Sequence, residues 1–165
     1  MRCLSFIVDD GLFAADVTLV QKVVRKMAVT PVPPAPDEII GISNLKGRVV
    51  TVLSLYELLG HKEKNGGQPI TDIVNAVIFK SFSEGEDQIG LSIDKPGNLI
   101  DINDDQICQP SLATGAEESF CISGIAEVDS QLYRIINVDS IINKFKDAGE
   151  LENKKYGGLE NDAKD

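Results

Sequence analysis

The chain has 165 residues, 42% of them hydrophobic, enough to bury a core as one domain or as two small units sharing an interface. Its 26 acidic against 16 basic residues give a formal charge of −10, which repels a phosphate backbone and argues against a nucleic-acid partner. Cys3, Cys108 and Cys121 are odd in number and widely spaced, so they fit neither a disulfide framework nor a zinc site and read as reduced core or strand residues.

The first predicted element, Leu4 to Val8 in "RCLSFIVDDG", is a buried strand. It is too short for a signal peptide, and no other stretch approaches membrane-spanning length, so the expectation is a cytoplasmic protein with no direct membrane insertion. The strand ends in Asp9-Asp10, and a phosphoacceptor receiver domain holds magnesium with such a carboxylate pair. Asp10-Gly11 is equally a strong hairpin signal. The next residues favour the hairpin, because Phe13, Ala15, Val17 and Leu19 alternate as in a returning strand where a receiver has a helix.

"TPVPPAP", Thr30 to Pro36, is excluded from helix and central strand by its prolines and reads as an extended connector or surface loop. After Gly41 the pattern predicts a turn at Lys46-Gly47, an apolar strand from Val49 to Leu55 and a short helical turn ending before Gly60. The polar, breaker-rich "HKEKNGGQP" is a predicted linker. Ile73 to Phe82 and Gln88 to Ile93 flank "SEGED" as a second hairpin, Ile122 to Asn137 forms a third, and Val138 to Phe145 is a closing helix. Beyond Asp147 the charged, glycine-containing tail is expected to fray.

An internal repeat organises these elements. Gly41, Ile42, Leu45, Val49, Val52, Leu53, Leu55, Leu58 and Leu59 recur without a gap as Gly124, Ile125, Val128, Leu132, Ile135, Ile136, Val138, Ile141 and Ile142. A fainter echo relates Phe13, Ala15, Val17, Val23 and Val24 to Ile89, Leu91, Ile93, Leu99 and Ile100. Two copies of a strand-rich unit predict paired small barrels rather than a βαβ sheet.

Catalytic chemistry finds no footing in the pattern. A receiver needs an aspartate nucleophile after the strand Val49 to Leu53, and Ser54 stands there with no carboxylate before Glu57. Asp94-Lys95-Pro96 mimics another receiver feature without supplying the nucleophile. His61 lies in the linker with only Glu63 as a neighbouring ligand type, so neither a metal site nor a histidine-based triad can be argued. Gly66-Gly67 and Gly157-Gly158 lack the residues of a phosphate loop. No cofactor, metal or catalytic residue is expected.

"VTLVQKVV", "VPPAPDEIIGISNLKGRVVTVLSL", "IGLSIDKPGNLIDI" and "CISGIAEVDSQLYRIINVDSII" together resemble the CheW-like chemotaxis coupling proteins over about residues 3 to 146, most specifically from Pro33 to Leu55. The resemblance implies an all-β fold of two packed five-stranded SH3-like barrels with a short C-terminal helix. It implies one CheW-like domain over residues 1–146, its barrels at about 12–68 and 69–146 with some strand exchange, followed by a tail over 147–165. The implied function is a non-enzymatic adaptor joining chemoreceptor cytoplasmic helix tips to the regulatory domain of a CheA-type histidine kinase. The alternative is a divergent module serving a non-chemotaxis histidine kinase. The implied partner-binding residues are Val20, Lys22, Val23, Lys46, Gly47, Arg48 and Ile93. Lys22 and Lys46 stand where the family commonly has Glu and Arg, so a pair of opposite charges there becomes two cations. Thr51, Ser54 and Pro96 likewise replace the usual Pro, Asp and Val.

Overall fold

In the computed structural model, residues 1–60, 73–81, 87–109 and 120–145 are described. The linker at 61–69, the tip of the second hairpin at 82–86 and the tail at 147–165, all named above, lie outside them. Eleven strands follow in order among the described residues: β1 (Arg2–Val8), β2 (Gly11–Asp16), β3 (Val20–Ala28), β4 (Ile39–Leu45), β5 (Arg48–Ser54), β6 (Ile73–Phe79), β7 (Gln88–Ile93), β8 (Lys95–Asp101), β9 (Ile107–Cys108), β10 (Ile122–Val128) and β11 (Gln131–Ile136). A short helix α1 (Leu55–Leu58) follows β5, and α2 (residues 138–145) follows β11.

Three hairpins turn through two residues that both lie in the left-handed region. They are Asp9-Asp10 (φ 46° and 63°), Lys46-Gly47 (51° and 83°) and Asp129-Ser130 (51° and 65°). Such pairs match the twist of the flanking strands, and aspartate tolerates the conformation better than most side chains. The first turn is one residue earlier than the expected Asp10-Gly11, since Gly11 already pairs with Val8. Asp94 fixes it there, its Oδ2 accepting from the Asp9 backbone N–H at 2.7 Å. The expected continuation of β2 to Leu19 is also corrected. The Asp16 carboxylate accepts from the Thr18 N–H and hydroxyl at 3.0 and 2.8 Å, winding Val17–Leu19 into a 3₁₀ turn.

The repeat is visible as structure. β4, β5 and α1 correspond to β10, β11 and α2 in the same gapless register found in the sequence. The two sheets nevertheless cut across the repeats. One has the order β3-β6-β7-β5-β4 and the other β8-β1-β2-β11-β10-β9. The five-stranded sheet therefore joins β3, β4 and β5 of the first repeat to β6 and β7 of the second, and the six-stranded sheet joins β8 to β11 of the second to β1 and β2 of the first, a reciprocal exchange. An antiparallel bridge between Thr30 and Ile42 closes the five-stranded sheet, with Thr30 N–H to Ile42 O at 2.8 Å and Ile42 N–H to Thr30 O at 2.9 Å.

Strand alternation sends neighbouring residues into different cores. Val50 and Val52 of β5 enter a small cluster with Met27, Ala76 and Ile78, whereas Leu53 faces the other way. Tyr133 and Ile135 of β11 enter the counterpart with Cys3, Ala14 and Ile102, whereas Ile136 faces the other way. Leu53 and Ile136 meet in the largest cluster, shared by both sheets, with Phe6, Phe13, Val77, Phe79, Leu91 and Ile141. Among the described residues twenty buried ones line this shared core against six in each of the others, so most of their apolar burial lies between the sheets. At about 1.5–3 kcal/mol for each large side chain, that burial holds the two sheets as one body.

Candidate partner-binding surface

The β4–β5 hairpin presents its tip to solvent. Lys46, Gly47 and Arg48 are all exposed, and a Cβ on Gly47 would meet nothing within 4 Å. Asn44 holds the turn from inside, its Oδ1 accepting from the Gly47 N–H at 2.9 Å. Behind the tip, Ile42 and Val49 keep 37% and 38% of their surface in solvent.

β3 carries a second exposed basic segment. Val24 and Met27 both enter the small cluster of the five-stranded sheet, though two residues separate them where alternation requires one. The extra residue is a bulge, marked by the register shift between Val24 and Met27 and by Lys26 at φ 54°. Asn75 secures it by accepting from the Lys26 N–H at 3.0 Å, and Arg25 and Lys26 are turned outward and exposed. The bulge was legible in "VVRKM", where the apolar spacing breaks, yet Arg25 and Lys26 escape a reading that looks only for a strand.

The expected site residues divide. Lys46, Gly47 and Arg48 form the exposed tip, and Lys22 is half-buried on β3. Lys22 and Lys46 lie at one end of the closed sheet, because the Gln21 side chain accepts from Gln88, and Gln88 pairs with Val50 beside the hairpin. Val20 and Val23 are half-buried against the shared core. The echo that marks Val23 for burial does not hold at its other end, since Leu99 is 55% exposed. Ile93 is a correction: only 5% exposed and inside the shared core, its side chain is consumed by packing and does not reach a partner.

The receiver-like features have structural employment. Asp9 and Asp10 form a turn, and Ser54, at the place of the missing nucleophile, caps α1 by accepting from the Glu57 N–H at 3.3 Å. Lys95 starts β8 opposite Ile7. Among the described residues no group of three or more His, Cys, Asp or Glu is arranged to hold a metal ion.

Among the described residues Arg2 pairs with Asp101 at 3.2 Å on the other sheet, whereas Lys22, Arg25, Lys26, Lys46 and Arg48 form no ion pair. Unpaired cations around partly exposed apolar groups suit a protein contact.

The model of the CheW-like domain matches residues 2–146, the whole two-sheet body. The chain belongs to the CheW-like domain family. Among curated CheW-like relatives, a chemotaxis protein CheW from Thermotoga maritima is 25% identical over 141 residues, covering 86% of this chain and 87% of the relative. Another, from Helicobacter pylori, is 26% identical over 145 residues, covering 87% and 82%. The crystal structure of the scaffolding protein TtCheW from Thermoanaerobacter tengcongensis superposes with a TM-score of 0.68 at 25% identity, covering 83% of this chain and 88% of that one. The CheW-like fold of two strand-rich bodies is thus shared.

Proposed function

We propose that this chain is a non-enzymatic chemotaxis adaptor that couples the cytoplasmic tips of chemoreceptors to the regulatory domain of a CheA-type histidine kinase in the cytoplasm. The observation that carries the reading is the CheW-like match over residues 2–146, which spans both sheets and the shared core. Residues 1–146 act as one adaptor domain, with the tail outside it. The mechanism is geometric. A rigid body with distinct surfaces holds two partners at a fixed separation, and the contacts are modest in area and reversible.

The candidate surface contributes Lys46, Gly47, Arg48 and the neighbouring Lys22, with Val20 and Val23 behind them. The presence of Lys22 and Lys46 where the family has opposite charges favours a second reading, an adaptor of the same build serving a histidine kinase outside chemotaxis.

Reconstitution tests both. Purified chain, kinase regulatory domain and soluble receptor-tip fragments from the same genome should co-elute as a ternary complex in size-exclusion chromatography. Binding to a kinase without any receptor fragment would favour the second reading. Binding to neither would defeat the adaptor assignment.

A further inference from the structure

Among the described strands the chain crosses from one sheet to the other twice, at opposite ends of β1 and β6. Val17–Leu19 carry it from β2 to β3, and Asp94 alone carries it back from β7 to β8. The single-residue crossing is stiff on both sides. Ile93 before it is buried in the shared core, and Lys95 after it precedes Pro96, whose ring confines it to extended backbone.

Asp94 is bonded to both sheets. On the six-stranded side its N–H donates to the Ile7 carbonyl at 2.9 Å, and its Oδ2 accepts from the Asp9 N–H at 2.7 Å. On the five-stranded side its carbonyl accepts from Asn75 Nδ2 at 3.1 Å, and Asn75 Oδ1 accepts from the Lys26 N–H at 3.0 Å. Asn75 is brought there by pairing with Ile93 in the β6–β7 ladder. A continuous relay thus runs from the β3 bulge through Asn75 and Asp94 to the first hairpin turn.

The other crossing shows that the fold does not require such a relay. Along the fainter repeat Thr18 holds the place of Asp94. Its N–H and hydroxyl both turn back to Asp16 in the same segment, and the Leu19 carbonyl accepts from the Lys80 N–H as an extension of the β3–β6 ladder. The bonds of the relay are exposed, where water competes, so they add little to stability. Their effect is directional. Apolar packing in the shared core resists separation of the sheets but is non-directional, and packed layers slide over one another in small steps. Hydrogen bonds weaken steeply away from alignment.

We propose that Asn75 and Asp94 are positioning residues whose relay fixes the angle between the two sheets, and with it the separation at which the molecule holds two partners. This rests on the adaptor reading above and names the residues that give its geometry rigidity.

The test compares Asn75→Ala, Asp94→Ala and Asp94→Asn in the full chain, the last keeping an oxygen to accept from Asp9. Spin labels on exposed Cys108 of the six-stranded sheet and on a Val49→Cys thiol of the five-stranded sheet report the angle as a distance distribution by double electron–electron resonance, Cys3 and Cys121 being buried. Both alanine variants should shift or broaden the distribution by about 2 Å or more. Asp94→Asn should match wild type, and all three should melt within about 4 °C of it. The alanine variants should bind the receptor-tip fragment and the kinase singly within about twofold of wild type. The change in kinase activity caused by the receptor fragment should fall about fivefold or more. Unchanged distributions in both alanine variants would overturn the proposal and leave the adaptor reading standing. So would a change in Asp94→Asn as large as in Asp94→Ala, or an altered distribution with a full kinase response. If wild type binds neither partner the adaptor reading falls, and the distances in the chain alone still decide whether the relay sets the angle. Asp94→Ala decides the matter if Asn75→Ala misfolds.

Discussion

Gly41 is where the closing bridge passes closest to β4, and alanine there should open it. A Cβ at this position would lie 2.2 Å from the Thr30 carbonyl oxygen, 2.7 Å from its carbon and 2.9 Å from Val29 Cγ1. The first two are backbone atoms, so no rotamer change relieves the clash and the Thr30 segment must retreat. Retreat breaks the two Thr30–Ile42 hydrogen bonds, each worth about 1 kcal/mol net. It also loosens Val29 from its cluster, adding about 1–2 kcal/mol by analogy with overpacked cores. The equivalent Gly124 supplies a control within the same molecule. Its Cβ would meet Ile107 Cγ2 at 2.8 Å and the Cys108 carbonyl oxygen at 3.2 Å, and the closer atom belongs to a side chain that can rotate. Gly124→Ala should cost about 1 kcal/mol, against about 3 kcal/mol for Gly41→Ala. With urea slopes of about 2 kcal/mol per molar, the midpoints should fall by about 0.5 and 1.5 M. Hydrogen exchange at the Thr30 and Ile42 amides should accelerate in Gly41→Ala alone. A Gly41→Ala midpoint within about 0.3 M of wild type would refute the reasoning, as would equal losses at both sites.

Leu53→Asp and Ile136→Asp each put a carboxylate into the shared core, and each should destabilise by about 4 kcal/mol or more; a variant that melts with wild type would show that this core is not the foundation of the fold. Under native conditions near neutral pH, N-ethylmaleimide should add once, at exposed Cys108, and reach buried Cys3 and Cys121 only after unfolding, which peptide mass mapping would reveal. The Cys3 thiol is pushed up from 9.0 to about 11, first by burial and then by Asp16. The unfolded thiol therefore ionises first, and stability should be unaffected below pH 9 and fall between pH 9 and 11 by at most about 2–3 kcal/mol; urea titrations of wild type and Cys3→Ala with identical pH slopes would contradict this. Acetyl phosphate with magnesium should leave the intact mass unchanged, because Asp9 and Asp10 are turn residues; a phosphorylation abolished by Asp10→Asn would revive receiver chemistry.

The repeat was legible because burial leaves its pattern in sequence. Val52-Leu53 and Ile135-Ile136 each place one side chain in a local cluster and the next in the shared core, so both copies retain adjacent apolar pairs. Strand exchange was less legible, because the alternation in β3 is the same whether its neighbour is β2 or β6. The errors are local competitions. Asp16 capping overrode the apolar rhythm through Val17 and Leu19, and the Asp9 amide bond to Asp94 favoured the earlier turn. At the surface, the hairpin could be read from Lys46-Gly47, since turn chemistry is local. The burial of Ile93, by contrast, depends on the opposing sheet.

The exchanged strands also set the order in which the molecule can be assembled during synthesis. β1 and β2 precede the other strands in synthesis, but β8 and β11, their neighbours in the sheet, are encoded far later, and the Met1 ammonium group finds the Ile102 carbonyl only across 101 positions of sequence. At about 5–20 residues per second, roughly 6 to 24 s separate the appearance of β2 from that of β11. Until β8 appears the first hairpin has two unpaired edges, and β2 keeps one until β11 arrives. Such non-local pairing makes for slow folding. A nascent chain of this design spends its early life as a client for holding factors, and supply of the finished protein is governed by how well those edges are shielded until the last hairpin arrives.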